Sequence, residues 1–478
     1  MVIANPHPFQ LPTSNFLLPT SYFQLPTSYF LLPTSYFLLS TTMLPELLAP
    51  AGDLVRMKYA FAYGADAVYA GQPAFSLRAR ENGFKNLDDL AAGIEYAHRL
   101  GKKFYLTSNV IPRNVKVEAF QNALLAAIDL KPDALIVADP GFVGWLREVR
   151  PEVEVHLSVQ ANTTNYLAAK FWHDLGVRRV ILSRELRLSE ILEIKNRLPD
   201  LELEVFVHGA VCMSMSGRCM LSNWVTRRDA NQGACDNSCR MPYRLYANPE
   251  PQCEDYREHE GSFSLQRTDR PELDPIALDE DAWGTYFMSS RDICAIDVIP
   301  ELMAAGLDSF KIEGRTKSVY YLSQVVRAYR MAIDSCAAQM EQGVATEAVK
   351  VSDDAYRAIS FVDGRGFMPG FLRGPLPQNY ESTHEDAPGG CVAAQVIAYD
   401  ANTNSCRVNV KNPFSIDDSF ALMTPSGMAR CKIDSMKDFK GGDVDRLHPG
   451  TEGVVFLQEN VENLSSNANF AFFVREIT

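Results

Sequence analysis

The stretch ELLAPAGDLVRMKYAFAYGADAVYAG, residues 46–71, contains the repeating unit from which the fold of this chain can be predicted. An apolar run (46–51) is followed by a segment with apolar residues at helical spacing, and then by a second apolar run (66–71). Short apolar runs that alternate with amphipathic helical segments are typical of parallel sheets with helices packed against them. The stretch therefore predicts a strand, a helix and a second strand parallel to the first.

The same alternation continues along the chain. Six further apolar or β-branched runs predict strands at 102–109, 134–139, 154–160, 179–184, 204–209 and 309–314. The helical segments between them, such as NLDDLAAGIEYAHRLG (86–101), have apolar residues at i, i+3 and i+4, and several end at Gly. Eight such units predict a (β/α)8 TIM-like barrel. A doubly wound open sheet is the alternative, because hydrophobic spacing does not reveal whether a sheet closes.

The predicted domains follow from where this alternation stops. We assign the barrel to 43–345, with a large insertion after strand 7 that includes a cysteine-rich loop (210–245) and an acidic insert (249–283). A connecting segment (346–389) leads to short alternating strands at 390–478, which predict a small antiparallel β-barrel domain.

The first 42 residues have a different composition. From Leu11 they repeat LPTSYFL with few changes, and no charged residue precedes Glu46. A proline in every repeat argues against both a coiled coil and the apolar core of a signal peptide. We therefore predict a disordered segment upstream of the true start at Met43, with a translated disordered tail as the alternative.

Composition limits the class of protein. The chain has 478 residues, 46% of them hydrophobic, and a net charge of −13, which argues against a general polyanion binder. The charge is uneven, because residues 250–281 hold eleven acidic and three basic side chains. No run of 18 apolar residues predicts a membrane span, so we expect a cytoplasmic protein.

Four cysteines are concentrated in the predicted loop after strand 7. They occur in the stretch HGAVCMSMSGRCMLSNWVTRRDANQGACDNSCR (208–240), as Cys212, Cys219, Cys235 and Cys239. Thiolates clustered in this way serve a metal centre or disulfides, and nothing else in the chain indicates secretion. The x6 spacing of the first pair favours an iron–sulfur cluster, with zinc or unrelated buried cysteines as alternatives. Cys294 is a reserve ligand.

Polar residues at the predicted strand ends are the candidates for catalysis and binding, since barrel enzymes place their sites there. His208 precedes the cysteine loop and is a candidate proton donor, although a satisfied core histidine is equally consistent. Glu313 and Arg315 follow the eighth strand and are the other catalytic candidates, with a structural ion pair as the alternative for Glu313. The predicted substrate-binding residues are Arg78, Arg80, Asn109, Gln160, Asn162, Arg184 and Lys317.

Several motifs resemble the U32 family, long described as collagenase-like peptidases. They are LPELLAPAGDL (44–54), GADAVYAGQPAFSLRAR (64–80), HLSVQANTTN (156–165), ILSREL (181–186), EVFVHGAVCMSMSGRCMLSN (204–223) and KIEGRTKS (311–318). The resemblance covers the whole predicted barrel, and the C-terminal β domain is similar too. Within the family, the chain is most similar to the members that hydroxylate tRNA.

The resemblance implies a specific function. It implies oxygen-independent hydroxylation of the wobble uridine of tRNA to 5-hydroxyuridine, with prephenate as co-substrate and a [4Fe–4S] cluster bound by the four cysteines. Arginines such as Arg78, Arg80 and Arg315 are then candidates to hold this dicarboxylate. A collagenase-like peptidase and a zinc-stapled RNA- or partner-binding module are the alternatives. The electron donor is not identified, and family members that work in pairs raise the question of a protein partner.

Overall fold

The computed structural model describes residues 44–240, 291–374 and 387–476, apart from 78, 213, 365 and 462–463. Between 246 and 286 it also gives the backbone of five short strands: 246–247, 257–258, 263–265, 276–281 and 284–286. The predicted N-terminal repeats and the side chains of the predicted acidic insert (249–283) lie outside the described residues, so what was predicted of them stays a prediction.

The eight predicted barrel strands are present. Before the insertion these are β1 (Glu46–Pro50), β2 (Ala67–Gly71), β3 (Lys103–Ser108), β4 (Ala134–Val137), β5 (Val155–Leu157), β6 (Arg179–Ile181) and β7 (Glu202–Gly209). After it come β8 (Asp292–Cys294) and β9 (Ser309–Ile312), and β9 is the eighth strand of the barrel. The large insertion after strand 7 is therefore confirmed.

The sheet closes on itself. Strand β9 pairs in parallel with β1, where Ser309 lies opposite Glu46, and in parallel with β7, where Ser309 lies opposite Glu204. This confirms the predicted (β/α)8 barrel and rules out the open sheet. Strand β8, which was not predicted, runs antiparallel to β7 and places Cys294 opposite His208.

Helices follow most of the barrel strands, and polar side chains cap several of them. They are α1 (Leu54–Ala62), α2 (Leu87–Arg99), α3 (Val117–Ile128), α4 (Pro140–Val149), α5 (Tyr166–Asp174), α6 (Leu188–Arg197), α7 (Leu221–Thr226), α8 (Ile299–Ala304), α9 (Val319–Glu341) and α10 (Asp353–Ser360). Asp53, Asn86 and Asn165 each accept a backbone N–H of the first turn that would otherwise lack a partner. Asp139 does the same for α4, so β4 ends at Val137 rather than at the predicted residue 139.

Two apolar clusters pack around the barrel strands. Apolar side chains such as Leu48, Tyr69, Ile136 and Phe206 form the cluster inside the ring, and a larger apolar cluster packs between the strands and the helices. Strand β5 ends at Leu157, earlier than predicted, because Ser158 caps a short 3-10 turn. The turn after β5 therefore lies at the same end of the barrel as the insertion that follows β7.

The C-terminal region forms an antiparallel sheet. Strand β10 (Phe367–Met368), which pairs with β8, precedes β11 (Gly390–Asp400), β12 (Ser405–Val410), β13 (Phe414–Ser415), β14 (Phe420–Thr424), β15 (Gly427–Cys431), β16 (Ile433–Asp438), β17 (Arg446–Leu447), β18 (Glu452–Leu457), α11 (Leu464–Asn467) and β19 (Phe472–Glu476). Seven of these strands pair in the order β15-β14-β19-β11-β12-β18-β16, which makes a half-barrel. Tyr59 of α1 donates to the carbonyl of Asn469, which ties this domain to the barrel. In the described ranges, no helix is long and apolar enough to cross a membrane.

Candidate functional site

A cavity of about 170 Å³ opens at the carboxyl ends of the barrel strands. The cysteine loop covers it, and all four clustered cysteines line it, namely Cys212, Cys219, Cys235 and Cys239. Six of the predicted strand-end residues line the same cavity: Asn109, Gln160, Arg184, Glu313, Arg315 and Lys317. The structure therefore brings together two groups of residues that are far apart in the sequence.

Hydrogen bonds hold the cysteine loop against the barrel. The Gln160 side chain donates to the carbonyl of Ser216 at 3.0 Å, and Glu185 accepts both the backbone N–H and the hydroxyl of Ser216 at 2.6 and 2.8 Å. Gly217 has a φ of 82°, and a Cβ there would lie 2.7 Å from Gln160 Nε2. Only glycine adopts this conformation readily in so little space, so the loop can approach the barrel closely.

The sulfurs of Cys219 and Cys235 accept backbone hydrogen bonds. The N–H of Leu221 points to Cys219 Sγ at 3.3 Å, and the N–H of Asn237 points to Cys235 Sγ at 3.4 Å. Backbone N–H groups directed at sulfur also occur in metal–thiolate centres.

The structure gathers the four clustered thiols around one cavity. Among the described residues, no group of three or more His, Cys, Asp or Glu side chains is arranged to hold a metal ion.

Charged side chains form the opposite wall of the cavity. Arg184 pairs with Glu313 at 3.0 Å and lies over the Phe206 ring, 3.9 Å from its centroid. Arg315 donates to the carbonyl of Leu77, and Lys317 lies 3.9 Å from Asp292. Among the described residues that line the cavity, four are basic and only Glu313 is acidic. The cavity therefore favours an anionic occupant.

The fourth basic residue, Lys311, was missed by the sequence analysis. It is buried, pairs with buried Glu204 at 2.7 Å, and lies 4.3 Å from the centroid of the Tyr69 ring. Burial lowers the pKa of Lys311, whereas Glu204 raises it. Its position in β9 was detectable, because alternation along the strand directs Lys311 away from the face that carries Phe310.

His208 does not line the cavity. Its Nε2 lies 3.0 Å from the Tyr321 hydroxyl and its Nδ1 lies 3.4 Å from the Tyr329 hydroxyl, and the ring is fully buried. Burial lowers its pKa to about 3, Asp292 raises it and Lys317 lowers it, so the imidazole is neutral at pH 7. The structure thus places His208 among the tyrosines of α9.

The other predicted residues that the structure describes do not line the cavity. Cys294 is buried beside Tyr329, and burial raises the pKa of its thiol to about 11. Asn162 does not line the cavity but donates to the carbonyl of Met215 at 3.1 Å and thereby helps to hold the loop. Arg80 is exposed in a short 3-10 helix, and Arg78 lies outside the described residues.

The fold and the site define a (β/α)8-barrel protein with a four-cysteine loop over a positively charged cavity. The family model described as peptidase family U32 matches residues 52–382, and the model of the U32 C-terminal domain matches residues 391–465. The chain therefore belongs to the U32 family.

Curated relatives resemble the chain over most of its length. The tRNA hydroxylation protein P of Haemophilus influenzae is 41% identical, over 91% of this chain and 97% of its own. The tRNA hydroxylation protein P of Escherichia coli is also 41% identical, over 86% of this chain and 93% of its own. The 23S rRNA 5-hydroxycytidine C2501 synthase of Escherichia coli is 34% identical, over 61% of this chain and 39% of its own.

Proposed function

We propose that this protein is an RNA-modifying enzyme that hydroxylates the wobble uridine of tRNA to 5-hydroxyuridine. The observation that carries the proposal is the shared cavity, which the four cysteines line together with the basic strand-end residues. Two relatives that are 41% identical over most of the chain are named tRNA hydroxylation proteins, and a third is named for hydroxylation of rRNA. The common element in these names is hydroxylation of an RNA base.

We assign a [4Fe–4S] cluster to Cys212, Cys219, Cys235 and Cys239. Support comes from their common cavity and from the N–H groups directed at Cys219 and Cys235. A four-iron cluster attaches each thiolate to a different iron, so its ligands are farther apart than those of one zinc ion. When bound, the cluster would supply electron transfer or a Lewis-acidic iron beside the substrate.

The basic wall would hold the co-substrate. Replacing the uridine C5–H bond by C5–OH adds one oxygen and removes two electrons from the base, so without O2 another molecule must supply the oxygen atom and accept the two electrons. We assign both roles to prephenate. Arg315 and Lys317, which line the cavity, would hold its carboxylates, because charge-assisted hydrogen bonds from basic side chains recognise such groups.

The Arg184–Glu313 pair would orient these ligands. Glu313 holds the Arg184 guanidinium at 3.0 Å, and the Phe206 ring supports the guanidinium from one side. A side chain fixed on two sides keeps its geometry when a substrate enters, which favours reaction over diffuse binding. Arg184 is therefore a positioning group in this proposal, and Glu313, a catalytic candidate of the sequence analysis, also forms the ion pair that was its alternative.

The peptidase alternative receives no support from His208. Both ring nitrogens face tyrosine hydroxyls, and burial lowers its pKa to about 3. A cysteine nucleophile requires a base within hydrogen-bond reach, and this histidine is directed elsewhere. The geometry thus favours a ligand role for Cys212 over a nucleophilic one.

Complementation tests the proposed function. The chain is expressed in Escherichia coli lacking its own relative, and 5-hydroxyuridine and its derivatives in tRNA are measured by mass spectrometry. We expect the wild-type chain to restore the modification and Cys219→Ser to abolish it, while Cys391→Ser, a thiol in β11 of the C-terminal domain, restores it fully. Restoration by Cys219→Ser would refute the cluster assignment. Failure of the wild-type chain, where the Haemophilus influenzae relative succeeds, would refute the function.

A further inference from the structure

The cysteine loop carries an exposed aromatic residue beside the cavity. Trp224 is 79% exposed, Met220 is 70% exposed and Met215 is 50% exposed. Tryptophan is on average one of the more buried residue types, so a ring left this open calls for a physical explanation. We define the Trp224 face as six exposed residues of this loop, namely Met215, Arg218, Met220, Trp224, Val225 and Arg227.

Hydrogen bonds within the loop hold this face in place. The Ser222 hydroxyl donates to the carbonyl of Arg228 at 2.7 Å, and the Thr226 hydroxyl donates to the carbonyl of Ser222 at 2.9 Å. The Asn231 side chain donates to the carbonyl of Cys219 at 2.9 Å. These bonds fix both ends of α7, which carries Trp224. A backbone segment fixed in advance loses little conformational entropy when a ligand packs against it.

The face is joined to the cavity through Cys219. This cysteine lines the cavity, and its sulfur accepts the N–H of Leu221, the first residue of α7. Trp224 follows Leu221 by three residues, which is less than one helical turn. The Trp224 face therefore lies on the same short segment of the loop as Cys219, which lines the cavity.

The charge of the loop complements a polyanion. Residues 212–240 contain four arginines and two aspartates, in a chain whose net charge is −13. Arg227 is exposed at the end of α7, and Arg113, with 75% of its side chain exposed, lies 3.5 Å from Asp229 of the loop. Aromatic rings beside arginines are the usual means of binding unpaired nucleotides, because every base has a face that stacks and every linkage carries a phosphate.

We propose that the Trp224 face binds single-stranded RNA, with an unpaired base stacked on the Trp224 ring beside the nucleotide that enters the cavity. The proposal rests on the proposed function, and it adds the surface that selects an unpaired loop over a duplex. Arg227 would contact the backbone phosphate of the stacked nucleotide. A protein partner on this surface is the competing occupant, and the test distinguishes the two.

Fluorescence anisotropy with the full chain tests this face. The probes are an RNA hairpin with an unpaired loop and the same stem closed as a continuous duplex. Trp224→Ala should weaken hairpin binding roughly 5- to 150-fold, which is the value of one base stack, and should leave duplex binding unchanged. Trp224→Tyr should retain most of the affinity. Phe171→Ala is the matched control, because Phe171 is 58% exposed on α5 and belongs to the outer helix layer.

Arg227 provides an independent measurement. Its φ of 61° is left-handed, so Arg227→Asn removes the charge and keeps a residue that tolerates this conformation. We expect this variant to weaken hairpin binding and to reduce the salt dependence by about one phosphate contact.

The outcomes separate this inference from the proposed function. Equal hairpin affinity in Trp224→Ala and wild type, with hydroxylation intact, would overturn the Trp224 face and leave the function standing. If Trp224→Ala instead raises KM for the RNA and leaves kcat unchanged, the face binds substrate as proposed. Absence of RNA binding by the wild-type chain would overturn both.

Discussion

The buried pair of Lys311 and Glu204 inside the barrel gives a quantitative prediction. Both side chains are almost completely buried, and their charged atoms lie 2.7 Å apart. Burial alone would raise the pKa of the Glu204 carboxyl, but Lys311 and Arg179 outweigh this and hold it below its usual value. Lys311→Met keeps the length of the side chain and removes the charge, so it leaves a buried carboxylate with only a partial partner.

The size of the expected loss of stability follows from the contacts that Glu204 keeps. Removing one member of a buried ion pair costs about 3–5 kcal/mol. Arg179 still lies 3.4 Å from Glu204, but it also pairs with Glu46 at 2.6 Å and Glu202 at 2.9 Å, so it compensates in part. We expect Lys311→Met to lower the free energy of unfolding by about 3 kcal/mol at pH 7. Adding Glu204→Gln should recover about 2 kcal/mol of this loss, because the double variant no longer buries an unpaired carboxylate.

Urea unfolding of the full chain at pH 7 and pH 5 measures these values. In wild type, the lowered pKa of Glu204 contributes stability at neutral pH that is lost as the pH falls through the folded pKa. In Lys311→Met, burial instead raises the pKa of Glu204, so the carboxyl takes up a proton more easily at low pH. The loss of unfolding free energy relative to wild type should therefore be smaller at pH 5 than at pH 7. A loss below about 1 kcal/mol in the single variant, or strictly additive effects in the double variant, would refute this reasoning.

Three further predictions concern single residues. The pKa of His208 is lowered to about 3, so the unfolded state takes up a proton first and stability falls as the pH drops below about 6.5, by roughly 1.4 kcal/mol per pH unit. Urea unfolding of His208→Gln should show a shallower slope between pH 6 and pH 4, whereas exposed His448→Gln should keep the wild-type slope. Cys294→Ala should retain the full iron content by metal analysis, since Cys294 does not line the cavity; loss of iron would make it a ligand. Gly209→Ala should lower the urea midpoint more than Gly306→Ala. Both glycines have a positive φ, but only a Cβ at Gly209 would meet backbone atoms, those of Glu313. Equal effects would contradict this reason.

The barrel was predictable because its units are local. The spacing of apolar residues indicates each strand and helix within its own stretch of sequence. The carboxyl ends of the strands in such a barrel lie on one face. This is why the sequence alone was enough to assign Asn109, Gln160 and Arg184 to a common site. That the four cysteines would lie close together was predictable for the same reason, since they belong to a single loop.

The sequence left two interpretations of His208 equally open, and the structure shows the satisfied core histidine, which a local irregularity explains. The pairing of β7 with β9 shifts register between Lys311 and Ile312, so Ile312 lies opposite His208 where regular pairing would place Val207. A slip of one residue changes the face toward which side chains point. In addition, β8 pairs with β7 at this point, and a strand from within the insertion leaves no periodic signal to predict it.

The central claim is that the four cysteines bind an iron–sulfur cluster in an RNA-hydroxylating enzyme. Its most direct test is the iron, sulfide and zinc content of the full chain purified without oxygen, recorded together with the visible spectrum. We expect about four irons and four sulfides per chain with a broad visible band, and the loss of both in Cys239→Ser. One zinc per chain without colour, or a colourless protein that still hydroxylates tRNA, would contradict it.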